Sequence, residues 1–368
     1  MRIGVFGGGQ LGRMLALAGY ALGHEFTFLE PSPEATRGLG TTLEAPFDDA
    51  RALAALVAAS DVVTYEFENV PAAAARWVAE RVPVWPSPAA LDVAQDRLSE
   101  KQFFGACGLP TVPFRAARGR AELATALDRV GLPAIVKTRR HGYDGKGQAL
   151  VTCPEDLEAA CAVVGEAPCI VERRIDFRRE LSVIAVRGRD GSYACWPLVE
   201  NQHDAGILRQ SLAPAPDVPP ALQALAESHV RTVLERLGYV GVLAIELFEV
   251  DGELLANEMA PRVHNSAHWT IEGAETSQFE NHLRAIAGMP LGSTAASGVS
   301  AMVNLIGTLP SADAVLAIPG VHLHRYGKAA RPGRKLGHLT VRANERAVLQ
   351  ERLRAVYAVL QAGAQTDA

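Results

Sequence analysis

A chain of 368 residues, 48% hydrophobic and 21% charged, has the make-up of a globular protein and exceeds what one core comfortably organises, so two or three domains are expected. With 36 Lys and Arg against 41 Asp and Glu, the net charge is −5; no global field favours nucleic acid, and any anion must be held by a local cluster. The five cysteines, Cys107, Cys153, Cys161, Cys169 and Cys195, lack Cys-x-x-Cys spacing and read as reduced, mostly buried thiols, while no signal-peptide pattern or membrane-length apolar run is seen, so a cytoplasmic protein that meets no membrane is expected.

Arg2 to Phe6 reads as a buried parallel strand. A glycine turn, Gly7 to Gly12, leads into an amphipathic helix through Leu22 and a second strand from Glu25 to Leu29. Gly7, Gly9 and Gly12 fit the dinucleotide fingerprint, with Glu30 near the position of a ribose-binding acid. A nicotinamide-dependent oxidoreductase is therefore one reading, and a strand that merely turns tightly into a helix is the other. A helix from Ala50 to Ala59 and a strand from Asp61 to Tyr65 follow. Glu68 and Asn69, past the carboxyl end of that strand, are substrate-site candidates. After a helix from Ala72 to Glu80, three prolines between Pro83 and Pro88 suggest a domain boundary, and Asp96 to Phe104 is a charged helix start.

From Thr111 the texture changes to short strands and helices. The strand Ala134 to Lys137 runs into a loop, Thr138 to Gln148, with three glycines and three cations, which suits a flexible lid over a polyphosphate; a plain basic hairpin is the rival. Lys137 ends an apolar strand, where an unpaired ammonium is rare. Glu172 closes one strand and Glu180 opens the next, like the rim of a nucleotide pocket. Residues 200–216 read as loop and irregular strand, and Ala221 to Leu237 as a core-facing helix.

Two strands, Val240 to Val250 and Glu253 to Glu258, flank the turn signal Asp251-Gly252. A two-residue turn sets Glu246 opposite Asn257; a three-residue turn sets it opposite Glu258, which is the register expected here. Two carboxylates facing each other across a ladder repel unless a cation lies between them, and oxygen ligands suit Mg²⁺. The run from Leu254 to Thr270 is far more polar than packing needs. A helix from Ser277 to Ile286 follows, then two or three strands and a last helix, Glu345 to Leu360. Lys328, Arg331, Arg334 and Lys335 put four cations into eight positions broken by glycine and proline, a pattern suited to a phosphate.

Together, Gly9 to Leu15, Tyr65 to Val70, Tyr143 to Gln148, His264 to Ser266 with His268 to Thr270, and Tyr326 to Lys328 resemble the N5-carboxyaminoimidazole ribonucleotide synthetase family of ATP-grasp ligases, from Arg2 to about Val341. The resemblance implies an α/β ATP-grasp fold: a Rossmann-like (pre-ATP-grasp) domain over 1–95, an ATP-grasp domain over 96–290 with a small lid subdomain at about 111–175, and a small C-terminal domain over 291–368. It also implies carboxylation of 5-aminoimidazole ribonucleotide by bicarbonate through carboxyphosphate in purine biosynthesis, at the expense of ATP, without biotin, by a homodimer. Arg97, Lys137 and the lid residues Tyr143, Asp144, Gly145, Lys146, Gly147 and Gln148 would meet ATP phosphates. The hinge Glu172, Arg173, Arg174 and Ile175, with Glu180 and His203, would hold the nucleoside. Glu246 and Glu258 would take Mg²⁺ beside Asn257. Arg262, His264 and Asn265 would be catalytic around bicarbonate, with Asp144 also catalytic. Tyr143, Asp144, Lys328, Arg334 and Lys335 would meet the ribonucleotide. The family usually has Gly at the places of His141 and Ala267, and Ala267 is acceptable only at negative φ. A formate-dependent ATP-grasp ligase on another ribonucleotide amine and a catalytically silent nucleotide-binding module stand as alternatives.

Overall fold

The computed structural model describes residues 1–140, 142 and 147–366. Among these, the strands form three sheets. The first is parallel: Arg2–Phe6 lies between Glu25–Leu29 and Val62–Tyr65, with Thr41–Leu43 outside Glu25–Leu29. Arg2–Phe6 and Val62–Tyr65 bury nearly every side chain, as strands covered on both faces must. Their carboxyl ends deliver the loops after Phe6 and Tyr65 to one side, where open α/β sheets bind ligands.

The second sheet is antiparallel, in the order Phe114–Ala117, Cys169–Arg173, Ala134–Thr138, Gln148–Val151. The helices Gly119–Val130 and Leu157–Val164 share its core. Gly147 stands at φ +70°, with Thr138 Oγ1 2.8 Å from where a Cβ would lie, so only glycine fits this close return of the chain.

The third sheet runs Glu253–Ala260, Gly241–Val250, Arg179–Arg187, Val199–Asp204, Ile207–Ala213, Val299–Ile306, Lys335–Ala343, Val321–Arg325, with Tyr193–Cys195 also pairing Arg179–Arg187. The segment expected to be irregular, 200–216, is thus largely a regular hairpin. Its inward face carries Asn201 and Ser211, both buried and bonded to each other at 2.8 Å, with Asn201 Nδ2 also donating to Ser182 Oγ at 2.6 Å. A polar inner face erases the alternation by which a strand is recognised. Through the pairing of Gln210 with Val303, the C-terminal strands extend this same sheet.

The expected pairing of Glu246 with Glu258 is present, but its cause differs from the three-residue turn expected. Val250 pairs with Glu253 around a two-residue turn in which Asp251 (φ 51°) and Gly252 (φ 82°) are both left-handed, the type I′ signature. The ladder then shifts by one residue between Leu247, opposite Ala256, and Glu246, opposite Glu258. Asn257 is the extra residue of a β-bulge. The cysteines also depart from expectation: all five are free, but only Cys169 is buried, the other four being half-buried.

One buried histidine ties the first sheet to the third. His282, fully buried on the helix Gln278–Ala287, accepts the Val242 N–H on Nδ1 at 3.1 Å, so its Nε2–H faces Thr64 Oγ1 at 2.9 Å. Accepting the Val242 N–H needs the neutral ring, since a protonated imidazole has no acceptor nitrogen, and burial pushes its pKa down to about 3. The unfolded imidazole takes up its proton near pH ~6.5, so folding stability is intact above that pH and falls as the pH drops from ~6.5 toward 3, by roughly 2 kcal/mol at pH 5 from this group alone. Thermal melts are expected to show wild type losing stability from pH 7 to pH 5. His282→Gln should melt lower at pH 7 and yet lose less on acidification; an unchanged slope would remove His282 from this account.

Candidate active site

The three sheets meet around a cleft of about 570 Å³. Gln10, Leu11 and Glu68 reach it from the first sheet; Lys137 and Gln148 come from the second. The third supplies Glu180, His203, Glu246, Asn257, Glu258 and Lys335, and the chain after Ala260 adds Arg262, His264 and Asn265. Arg97 and Glu100 enter from the helix Arg97–Ala106. A neighbouring cavity of about 260 Å³ shares Lys137 and Phe248 with the cleft and is lined by Glu172, Arg173, Arg174 and Ile175. Within it Glu172 keeps Oε1 without a partner among the described residues. Tyr143, Asp144, Gly145 and Lys146, with His141, lie outside the described residues.

A regular strand sends successive side chains to opposite faces, yet Asn257 and Glu258 both line the cleft. The bulge makes this possible, because two consecutive residues there oppose one partner. Glu258 Oε2 accepts from Arg97 Nη1 at 2.8 Å. Enclosure in the cleft works against its charge, but Arg97 prevails and holds the carboxyl down to about 2. Glu246 is pushed the other way, up to about 7, by burial and then by the charge of Glu258. A facing pair that resists carrying two negative charges has the chemistry of a hard divalent-cation site. Among the described residues no cluster of three His, Cys, Asp or Glu completes a protein-only metal shell. Two glutamates suit Mg²⁺, which usually completes its shell with water and phosphate oxygens.

Cations surround this pair. Lys137 Nζ donates to Glu172 Oε2 at 2.9 Å, and Lys101, only 2% exposed, lies 3.7 Å from the same oxygen while donating to the Ala256 carbonyl at 3.2 Å. Glu100 is equally buried, and its Oε1 accepts the Met259 N–H at 2.7 Å. Burial and then Glu258 raise its pKa to about 8. Neither Glu100 nor Lys101 was singled out from sequence, because a charged run opening a helix reads as a solvated first turn. That turn is capped by Asp96, which also receives Arg139 through two bonds at 2.9 and 2.8 Å, so the lid's base is tied to the helix that carries Arg97.

Arg262 pairs with Glu68, an acid singled out from its place after the fourth strand in the chain, and so bridges the third sheet to the first. Beside it, His264 is held down to about 3 by burial and then by Arg262, which makes the imidazole neutral; its Nε2 lies 3.7 Å from Glu246. Asn265 exchanges bonds with Asn304 at 3.1 and 2.7 Å. His203 contacts Glu180 directly. Of the C-terminal cations, Lys335 lines the cleft, whereas Lys328 donates to Gln10 and Arg334 pairs with Glu34 at 2.9 Å, both docking the C-terminal loop on the first sheet. Ala267 sits in the short turn Asn265–Ala267 and is not among the positive-φ residues, so the alanine is unstrained.

The glycine turn has a role other than the dinucleotide one. The Glu66 carboxylate accepts the N–H groups of Gly9 at 2.9 Å, Leu11 at 3.0 Å and Gly12 at 3.0 Å, taking the helix N-terminus where a pyrophosphate would bind. A Cβ on Gly7 or Gly9 would lie 2.6 or 2.7 Å from Glu66 atoms, so these glycines make room for that side chain. Glu30, the expected ribose acid, accepts the Gly8 N–H at 2.8 Å instead. Glu66→Ala strands three N–H groups at ~1–3 kcal/mol each before water enters. A melting temperature lower by several degrees is expected, and titration of wild type with NAD⁺ or NADH should give no binding heat; saturable nicotinamide binding would reinstate the dinucleotide reading.

Comparison with known proteins agrees with this geometry. The ribonucleotide synthetase preATP-grasp domain family matches residues 1–95, the ATP-grasp domain family residues 102–279, and the phosphoribosylaminoimidazole carboxylase C-terminal domain family residues 300–352. N5-carboxyaminoimidazole ribonucleotide synthase of Pseudomonas aeruginosa is 53% identical over 98% of this chain and all of its own length, and that of Brucella melitensis 48% over 92% and 95%. The crystal structure of the Thermus thermophilus synthetase superimposes with a TM-score of 0.94 at 55% identity, covering 97% of this chain and 98% of that one. The Aspergillus clavatus synthase, in complex with ADP and 5-aminoimidazole ribonucleotide, superimposes at 0.90 and 30% identity over 97% and 98%. With an ATP-grasp fold and a polar cleft where its three sheets meet, the chain belongs to the N5-carboxyaminoimidazole ribonucleotide synthase family of ATP-grasp ligases.

Proposed function

We propose that this ligase carboxylates the 5-amino group of 5-aminoimidazole ribonucleotide with bicarbonate, using ATP and passing through carboxyphosphate, in purine biosynthesis. The observation that carries the reading is one cleft in which the opposed Glu246 and Glu258 stand next to Arg262, His264 and Asn265, with Lys335 in the same wall. The Aspergillus clavatus relative, solved with ADP and that ribonucleotide, supports the choice of substrates.

In this reading the adenine lies in the smaller cavity, where the unpartnered Oε1 of Glu172 suits an exocyclic amine, and Glu180 with His203 faces the ribose. Arg97 and Lys137 neutralise the polyphosphate. A bicarbonate oxygen attacks the γ-phosphorus as the bond to ADP breaks; the substrate nitrogen then attacks the carboxyl carbon, phosphate leaves and the nitrogen gives up a proton. Bicarbonate is a weak nucleophile, so alignment and charge neutralisation supply most of the rate. Arg262 offers the positive charge for it. Neutral His264 adds a hydrogen bond without drawing the anion away from phosphorus. Mg²⁺, held by Glu246 and Glu258 beside Asn257, would offset phosphate charge. Lys328, Arg334 and Lys335 would meet the ribonucleotide phosphate, and Tyr143 and Asp144 would meet the same substrate. The divisions near 95 and 290, the homodimer and a reducing cytoplasm, which suits five free thiols, belong to the same proposal.

ATP turnover is expected to require both bicarbonate and 5-aminoimidazole ribonucleotide; turnover with formate in place of bicarbonate would favour a formate-dependent ligase. Glu258→Gln should lower kcat by several orders of magnitude with ADP still bound, and wild-type rates in that variant would sink the mechanism. Chelation of divalent cations should abolish turnover, and Mg²⁺ should restore it; activity in excess chelator would remove the metal role.

A further inference from the structure

Some residues of the polar run and its neighbours have no ligand to explain them. His268 and Tyr326 are 1% exposed, Thr270 and Gln278 fully buried, and none of them lines the cleft. They converge on the backbone of His264.

His264 sits in extended conformation just before the turn Asn265–Ala267. Gln278, at the start of the helix Gln278–Ala287, serves both of its backbone groups: Oε1 accepts the His264 N–H at 2.8 Å, and Nε2 donates to the His264 carbonyl at 2.7 Å. One side-chain amide thus does for one residue what a neighbouring strand does in a sheet. Its orientation is determined, since a flipped amide would set its nitrogen against the His264 N–H and its oxygen against the carbonyl. The same Nε2 lies 3.2 Å from Nδ1 of His268. An amide nitrogen only donates, so His268 accepts there and carries its own proton on Nε2.

His268 is in turn held between rings, with Phe279 at 5.6 Å and His338 at 4.8 Å, and His338 Nδ1 lies 2.8 Å from the Tyr326 hydroxyl. The backbone of Gln278 is fixed as well: its N–H donates to Thr270 Oγ1 at 3.0 Å, and that hydroxyl donates to the Ala267 carbonyl at 2.6 Å. The imidazole that this backbone carries meets Ser266 Oγ through Nδ1 at 2.8 Å, leaving Nε2 toward Glu246 and the cleft.

We propose that Gln278, oriented by His268, is a positioning residue for the reaction: it touches no substrate but locks the His264 backbone so that the imidazole faces bicarbonate. This rests on the reading of His264 as part of the bicarbonate site. A half-turn of the His264 peptide would swing Nε2 out of reach of a ligand beside Arg262, whereas the nucleotide groups, on other elements, would stay in place.

Gln278→Glu keeps the acceptor for the His264 N–H but loses both donated bonds. The expected result is a KM for bicarbonate raised ~10- to 100-fold, with KM for ATP and calorimetric ADP affinity within about twofold of wild type. Protonation of the buried glutamate restores a donor, so its deficit relative to wild type should shrink as the pH falls. His268→Phe, which keeps a ring in the stack and removes the Nδ1 acceptor together with the Nε2–H, should shift the bicarbonate KM in the same direction by less, and it carries the test if Gln278→Glu does not fold. Wild-type bicarbonate KM in a folded variant, or ATP and bicarbonate constants rising together, would overturn the assignment. If wild type itself turns over ATP without bicarbonate, the functional reading fails first; if it requires bicarbonate and the variants are unaffected, only the positioning role fails.

Discussion

Two carboxylates forced to face each other across a β-ladder are the constraint around which this molecule is arranged. Glu246 and Glu258 sit in register on adjacent strands, and burial together with the charge of Glu258 drives Glu246 toward protonation. Strand neighbours of like charge destabilise a sheet unless their surroundings compensate. The compensation comes from elements far apart in sequence: Arg97 on a helix, Lys137 on the second sheet, and Arg262 beyond the strand's end. A sheet designed for stability alone would not carry such a pair, and its place in a cleft makes it the candidate site for a ligand's charge.

Contacts at the cleft and beyond it fasten the three sheets together. Arg262 reaches Glu68, Lys328 reaches Gln10, Arg334 reaches Glu34, and His282 joins Thr64 to the Gly241–Val250 strand. Each contact links the first sheet to the third or to the loop between the third sheet's last strands. The second sheet is tied in through Arg139 and Asp96. Candidate ligand-binding groups and inter-sheet fasteners are thus partly the same residues, Arg262 and Lys328 being already committed to holding the sheets in place.

Much of the candidate site was legible as residue types. The acid pair, the strand lysine Lys137, the hinge from Glu172 to Ile175 and the polar run around His264 all carry more charge or hydrogen-bonding capacity than packing requires, and they line the cleft or its neighbouring cavity. Local geometry was less legible. The opposition of Glu246 and Glu258 was expected from a longer turn, whereas a tight type I′ turn and a bulge at Asn257 bring it about. The hairpin within residues 200–216 was hidden because Asn201 and Ser211 face inward and satisfy each other. Glu100 and Lys101 were hidden because a buried charge on a helix looks the same in sequence as an exposed one.

Sequence by itself determined what is local or carried by order along the chain: the opening βαβ unit, the glycine punctuation, most helices, and the five motifs by which the family is recognised. These follow from period, turn chemistry and residue type, which a short window contains. Tertiary structure alone decided which groups neutralise which. That Glu66 rather than a pyrophosphate fills the helix N-terminus, that Arg262 answers Glu68, and that Gln278 grips the backbone of His264 depend on contacts across 54 to 57, 194 and 14 residues. Electrostatic and hydrogen-bond partners are set by distance in space, and only the packed sheets fix that distance.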